Sequence, residues 1–212
     1  MVSHILRINY YTDVLKQIIP AVEILRAGGA VAYPTETFYG LGVDALNQEA
    51  IRKIFSIKER PFSQPLLILI PNQNHLPYYA HEVPEVARRL IERYWPGPLT
   101  MIFAASPQLP LILTADTRKI AIRISSHPIA QAVTSLLKGP LTSTSANSSG
   151  AQSPTTAEEV LQQLGGKIDL IIDGGKTAGE KPSTIIDVTV SPPQLVREGA
   201  LPFDEIWRHC KR

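Results

Sequence analysis

The apolar residues of this chain recur in short blocks whose spacing switches between that of a helix and that of a strand. Leu15, Ile18, Ile19, Val22 and Leu25 fall at helical intervals behind Thr12 and Asp13, either of which can cap a helix. Pro20 lies inside that pattern and predicts a break or restart, and Gly28-Gly29 ends it. A short edge strand is expected around His4–Ile8, and the apolar run 29–32 predicts a second strand. That strand opens into Tyr33-Pro34-Thr35-Glu36-Thr37-Phe38-Tyr39-Gly40-Leu41-Gly42, a polar turn closed by two glycines. Such a turn suits a substrate site at the end of a buried strand, and equally an ordinary β-turn with satisfied hydroxyls.

Asn47 predicts the cap of a helix that turns Ala50, Ile51, Ile54, Phe55 and Ile57 inward and ends on Lys58-Glu59-Arg60, where cations complement the helix dipole. Residues 66–70 are continuously apolar, as in a strand buried on both faces. Pro84 opens a further helix that Trp95-Pro96-Gly97-Pro98 stops, and residues 99–105 predict a strand. From Ile120 to Ser125 the alternation puts three isoleucines on one face and Ala121, Arg123 and Ser125 on the other, so Arg123 faces water, a partner or an anion. Pro128 opens a helix, and the small polar run 142–150 has a loop's composition, though structured segments flank it. Thr156 and Glu159 form a capping box for a helix ending at Gly165-Gly166. Strands are expected at 168–172 and 183–190, with loop 174–182 between them as a lid on composition, and Arg197 after the last strand. Ile206 and Trp207 in the polar tail are able to pack. The pattern predicts an α/β fold with one mixed, twisted sheet flanked by helices, in a single domain over 1–212 with its core at about 13–200.

Composition narrows the classes. The 212 residues are 44% hydrophobic and 19% charged, enough for one compact core. The single cysteine, Cys210, excludes an internal disulfide framework, and with no signal-like or membrane-length apolar segment a cytoplasmic protein is expected. A net charge of +2 permits nucleic-acid contact without arguing for it. Gly175-Lys176-Thr177 is not a phosphate-binding P-loop, because the glycine that motif needs five residues earlier is Leu170. The five histidines lack metal-ligand spacing, so no protein-held metal is expected, and neither Gly-x-Ser-x-Gly nor Gly-x-Gly-x-x-Gly occurs. What remains is a set of cations (Lys58, Arg60, Arg123, Arg197) and hydroxyls (Thr37, Ser143, Ser145, Ser153, Ser183) on turns and strand faces. Such a set suits a phosphate chain and a carboxylate, with catalysis by positioning and charge neutralisation.

In order along the chain stand Pro34-Thr35-Glu36-Thr37 with Tyr39-Gly40-Leu41-Gly42, Lys58-x-Arg60, Trp95-Pro96-Gly97-Pro98, Ala121-x-Arg123, Ser145-Ala146-Asn147-x-x-Gly150, Ser183-Thr184-Ile185-Ile186-Asp187 and Arg197-x-Gly199. In this ordered set the chain resembles the YrdC/YciO-type threonylcarbamoyl-AMP synthases. The resemblance implies an α/β domain curved around a basic groove, and a reaction joining L-threonine, bicarbonate or CO2, and ATP into threonylcarbamoyl-adenylate and pyrophosphate. Other proteins then transfer the threonylcarbamoyl group to adenosine 37 of tRNA. It implies that Lys58 and Arg60, paired in space with Ser145 and Asn147, are catalytic and hold ATP phosphates. Thr37, Arg123, Ser143 and Ser183 would contact threonine, with Arg123 on its carboxylate, and Gln64, Lys119, Ser153 and Arg197 the nucleotide. Mg2+ would ride on the phosphates. Two positions depart from the family's pattern: Gln64 stands where many members carry Asn, and Leu69 where the longer, two-domain members carry a histidine near threonine. The chain stops soon after Arg197, so it resembles the short type. A groove that binds tRNA or double-stranded RNA without catalysis, a YciO-like paralogue and a hydrogenase-maturation carbamoyl transferase fragment are the competing readings.

Overall fold

The computed structural model describes residues 3–210, and its strands divide between two sheets rather than the one expected. In chain order the elements are β1 (His4–Arg7), α1 (Val14–Arg26), β2 (Val31–Pro34), β3 (Tyr39–Gly42), α2 (Gln48–Lys58), β4 (Leu67–Leu69), α3 (Leu76–Tyr79), α4 (Glu85–Tyr94), β5 (Leu99–Ala104), α5 (Leu111–Thr114) and β6 (Lys119–Arg123). There follow α6 (Pro128–Leu137), β7 (Leu141–Thr142), β8 (Thr144–Ser145), α7 (Ala157–Leu164), β9 (Leu170–Asp173), β10 (Thr184–Asp187), β11 (Gln194–Arg197) and α8 (Phe203–Cys210). One sheet runs β1-β9-β2-β3-β8 and the other β11-β10-β5-β6-β4-β7, both mixing parallel and antiparallel pairs. The α/β class and the mixed strand directions agree with the sequence. The single sheet does not, because periodicity reports which face is buried and not which strand is the partner.

The helix ends follow their capping chemistry. Asp13 and Asn47 accept backbone N–H groups in the first turns of α1 and α2, and Thr156 with Glu159 closes a reciprocal capping box on α7. Pro20 does not break α1, which runs unbroken from Val14 to Arg26. The proline is on the exposed side, where water can reach the carbonyl its missing N–H leaves free, while Ile18, Ala21, Val22 and Leu25 stay buried against the body. The run 142–150, loop-like in composition, contains β8 and the end of β7. Arg197 closes β11 rather than following the last strand, and the polar tail forms α8 with Ile206 buried.

The alternation read in β6 holds. Ile120 and Ile122 are fully buried beside Met101, Phe103 and Ile186 on one face of the six-stranded sheet. Burying each isoleucine side chain stabilises the fold by about 1.5–3 kcal/mol relative to exposure. A second cluster joins α1 and α6 to one face of the other sheet. The sheets meet at the β7–β8 step. Leu141 and Thr142 pair with β4, Thr144 and Ser145 pair with β3, and the N–H of Ser143 between them donates to Leu67 O at 2.8 Å. No helix among the described residues is long and apolar enough to cross a membrane.

Candidate active site

The junction of the sheets opens into a groove of about 690 Å³. The free face of the six-stranded sheet contributes Leu67, Ile102, Ala121, Arg123 and Ile185, and the β2–β3 hairpin contributes Thr35, Thr37 and Tyr39. The hairpin turn is closed by Thr35, whose N–H and Oγ1 both donate to Phe38 O and whose Oγ1 also accepts from Thr37 N. Gly42 sits where the sheets touch: a Cβ there would come within 2.7 Å of Thr142 O and 2.8 Å of the Tyr33 ring. That glycine therefore serves close approach, and the polar turn of the sequence is a β-hairpin rather than the exit from a strand.

Lys58 and Arg60 leave the end of α2 on either side of Glu59, which adopts a left-handed φ of 50° as the helix C-cap. Lys58 is 5% exposed, and its ammonium donates to Ser145 O at 2.7 Å, Asn147 O at 2.6 Å and Asn147 Oδ1 at 2.8 Å. All three of its protons thus hold the loop after β8. Burial, helped by the neighbouring Arg60 charge, lowers its pKa from 10.5 to about 8. Ser145 Oγ donates to the same Asn147 Oδ1, and the Asn147 amide donates to Ala151 O. Arg60 lines the groove. Its guanidinium stands 5.7 Å over the Phe55 ring and reaches Gln64 O and Pro65 O only at 3.3 Å, while Nε is buried without a partner. Burial lowers its pKa.

Across the groove Arg123 is 4% exposed; its Nη1 donates to Thr37 Oγ1 at 3.5 Å and stands 3.7 Å from Glu36 Oε1. Arg197 donates to Ser183 O from Nε at 3.2 Å and from Nη2 at 2.9 Å, and Ser183 Oγ lies 2.9 Å from Thr100 Oγ1. Burial first, then the Arg123 charge, lowers the pKa of Arg197. Three guanidinium groups therefore face one groove whose lining contains a single carboxylate, Glu180. Arg60, Thr37, Arg123, Ser143, Ser145, Ser153, Ser183 and Arg197 all line it. Lys58 and Asn147 lie just behind, clamped to each other. Gln64 is exposed in the turn after Arg60, and Lys119 pairs with Asp187 at 2.7 Å outside the lining. Leu69 is fully buried in the second core cluster. Loop 174–182 is tied down at intervals. Tyr10 and Tyr39 hydroxyls donate to Gly174 O and Gly175 O, Thr177 N donates to Thr155 O, and Gly179 N donates to Thr37 O at 2.8 Å. Residues whose part the sequence does not single out are Glu36, Thr100 and Phe55. Glu36 stands in one of the ordered motifs, but nothing in its spacing tells that it meets Arg123.

A groove of convergent cations and hydroxyls, with no nucleophile–base pair among its lining residues, suits ligand positioning and phosphate charge neutralisation. The family model Sua5_yciO_yrdC, described as telomere recombination, matches residues 23–199. The chain is 44% identical over 186 residues to the threonylcarbamoyl-AMP synthase of Pyrococcus abyssi, covering 88% of this chain and 55% of that protein. The crystal structure of P. abyssi Sua5 complexed with L-threonine superposes with a TM-score of 0.92 at 40% identity, covering 99% of this chain and 61% of that one. The crystal structure of E. coli YciO superposes with a TM-score of 0.87 at 33% identity, covering 96% of this chain and 99% of that one.

Proposed function

The chain belongs to the Sua5/YciO/YrdC family, and from that premise we propose that it is an L-threonylcarbamoyladenylate synthase. The observation that carries the proposal is the convergence of Arg60, Arg123 and Arg197 with the hydroxyls of Thr37, Ser143, Ser145, Ser153 and Ser183 on one groove. Arg123, backed by Thr37, takes the threonine carboxylate, for which a guanidinium fork is the natural partner, and Ser143 and Ser183 border the same pocket. Arg60, Ser145, Ser153 and Arg197 take the nucleotide. Lys58 and Asn147 act from behind by holding the loop that presents Ser145, and Gln64 and Lys119 lie at the periphery of that nucleotide site. The threonine amine adds to CO2 and releases a proton to water, leaving a carbamate. A carbamate oxygen then attacks the α-phosphorus and the bond to pyrophosphate breaks. Arg60 and Arg197 stabilise the negative charge that gathers on the departing pyrophosphate.

Among the described residues no group of three His, Cys, Asp or Glu side chains could hold a metal ion. Mg2+ fits this chain as an ion carried on the ATP phosphates, with Glu180 the groove's own anionic contact, and it would add to the same charge neutralisation. The proposal places the protein in the cytoplasm as one domain, supplying proteins that transfer the threonylcarbamoyl group to tRNA. The test is ATP-to-pyrophosphate turnover with and without L-threonine and bicarbonate, with the nucleotide product read by mass. Turnover that requires all three substrates and yields threonylcarbamoyl-adenylate is expected. A folded protein that binds ATP without turnover would instead favour a YciO-like activity, a reading that the likeness to the E. coli YciO structure supports. Retention of RNA undiminished by ATP would favour the RNA-binding reading.

A further inference from the structure

Glu36 sits at the turn between β2 and β3, flanked by Thr35 and Thr37, which both line the groove. Its own carboxylate is not part of that lining. Oε2 accepts from Ser125 Oγ, which in turn accepts from His127 N at 3.2 Å, and Ser125 O accepts from the Gln131 amide at 2.5 Å. Glu36 is thus braced against the first turn of α6. Its other oxygen, Oε1, stands 3.7 Å from Arg123 Nη1, beyond hydrogen-bond length. Glu36 Oε1 and Arg123 Nε are both buried without a hydrogen-bond partner. Buried polar atoms seldom remain unpaired, and here each member of one 3.7 Å ion pair has such an atom. A closed bidentate pair would satisfy both and would also consume the fork that makes arginine useful toward a carboxylate. With no carboxylate at all, a buried cation would be left with one long contact to Thr37 and nothing to fix its direction.

We propose that Glu36 is the positioning residue of the amino-acid pocket: it balances and aims the Arg123 guanidinium while leaving the donors free for a substrate carboxylate. The inference rests on the assignment of Arg123 to threonine made above. Glu36 has two effects of opposite sign on a bound carboxylate. Its charge repels the ligand, and its hold on Arg123 orients the group that binds it. Orientation dominates because a fork-to-carboxylate contact needs both donors in place, whereas Glu36 is not among the residues that line the groove.

Isothermal titration with L-threonine, and separately with ATP, tests this on the intact chain. In Glu36→Gln the threonine Kd should rise roughly tenfold or more, with ATP affinity within about twofold of wild type. Glu36→Asp keeps the charge but withdraws it by one methylene, and should weaken threonine binding too. In an Arg123→Ala background Glu36→Gln should cost nothing further, a coupling that a merely structural role would not produce. If Glu36→Gln fails to fold, Ser125→Ala removes the brace, together with the acceptor of His127 N, while leaving both charges in place, and should raise the threonine Kd several-fold with ATP unaffected. Threonine bound by Glu36→Gln as tightly as by wild type, or more tightly, would overturn the proposal, as would a full Glu36 effect in the absence of Arg123. Wild-type protein that binds ATP but no threonine would remove the synthase reading itself and this inference with it.

Discussion

Lys58 shows how far a single residue's part can depart from what its motif implies. The pattern Lys-x-Arg is visible in the sequence, and the resemblance puts both side chains on phosphate oxygens. Arg60 does face the groove, but Lys58 spends its three donors on Ser145 O and on both oxygens of Asn147. No feature of a linear pattern tells a lysine that touches a ligand from one that builds the loop touching it. The distinction has a measurable consequence, because burial and the Arg60 charge lower the Lys58 pKa from 10.5 to about 8. An uncharged amine has one donor fewer, so one of the three loop contacts is lost. The ATP-dependent kcat/KM should therefore fall above about pH 8, by roughly tenfold per pH unit while this proton alone controls it. A flat profile from pH 7 to 9.5 would show that the charge on Lys58 is dispensable. Stability runs the other way. Between about pH 8 and 10.5 the unfolded chain binds the proton that the folded chain has released, so this group's contribution to stability rises with pH across that window.

At the scale of the element, the sequence is most informative where one face is buried and least where strands are very short. The capping residues of α1, α2 and α7 and the alternation of β6 are legible directly, and that alternation alone puts Arg123 on the face that proves to be the groove. The two-residue strands β7 and β8 are not, since two residues carry no period. Nor are the partners of β3, whose YGLG reads as a turn because it carries two glycines. Gly42 is small because β3 lies against Tyr33 and the Thr142 carbonyl, where the two sheets join. Gly42→Ala should accordingly destabilise the protein by about 1–3 kcal/mol through overpacking, seen as a lower urea midpoint at unchanged m-value. Gly139 offers the contrast within the same fold: a methyl group added there would find its nearest neighbour 4.0 Å away, and Gly139→Ala should stay within about 0.5 kcal/mol of wild type. Equal effects at the two glycines would mean that the β3 contact yields at little cost and does not set the sheet junction.

For the whole molecule, the groove is assembled from parts remote in the chain: the hairpin turn near Thr37, the end of α2 at Arg60, mid-strand Arg123, the β7–β8 step at Ser143 and the β10–β11 pair with Ser183 and Arg197. The ordered motifs of the sequence make that set legible through family resemblance, since nothing in hydrophobic spacing brings Arg60 and Arg197 to one cavity. Like charges gathered from three elements repel one another, and burial first, then the Arg123 charge, lowers the pKa of Arg197. An anionic ligand relieves the repulsion and links the two sheets at once, so binding should be felt in global unfolding. ATP with Mg2+ at about 100 times its Kd adds about 2.7 kcal/mol to the folded state, which for a chain of this size raises Tm by roughly 5–10 °C. Arg60→Ala should lose most of that increase while its own unliganded Tm stays close to wild type, because the contacts of Arg60 within the protein are long. An ATP-induced rise of equal size in both proteins would take Arg60 out of the nucleotide site. A rise produced by double-stranded RNA and not by ATP would mean that the groove answers to a phosphate backbone rather than to a nucleotide.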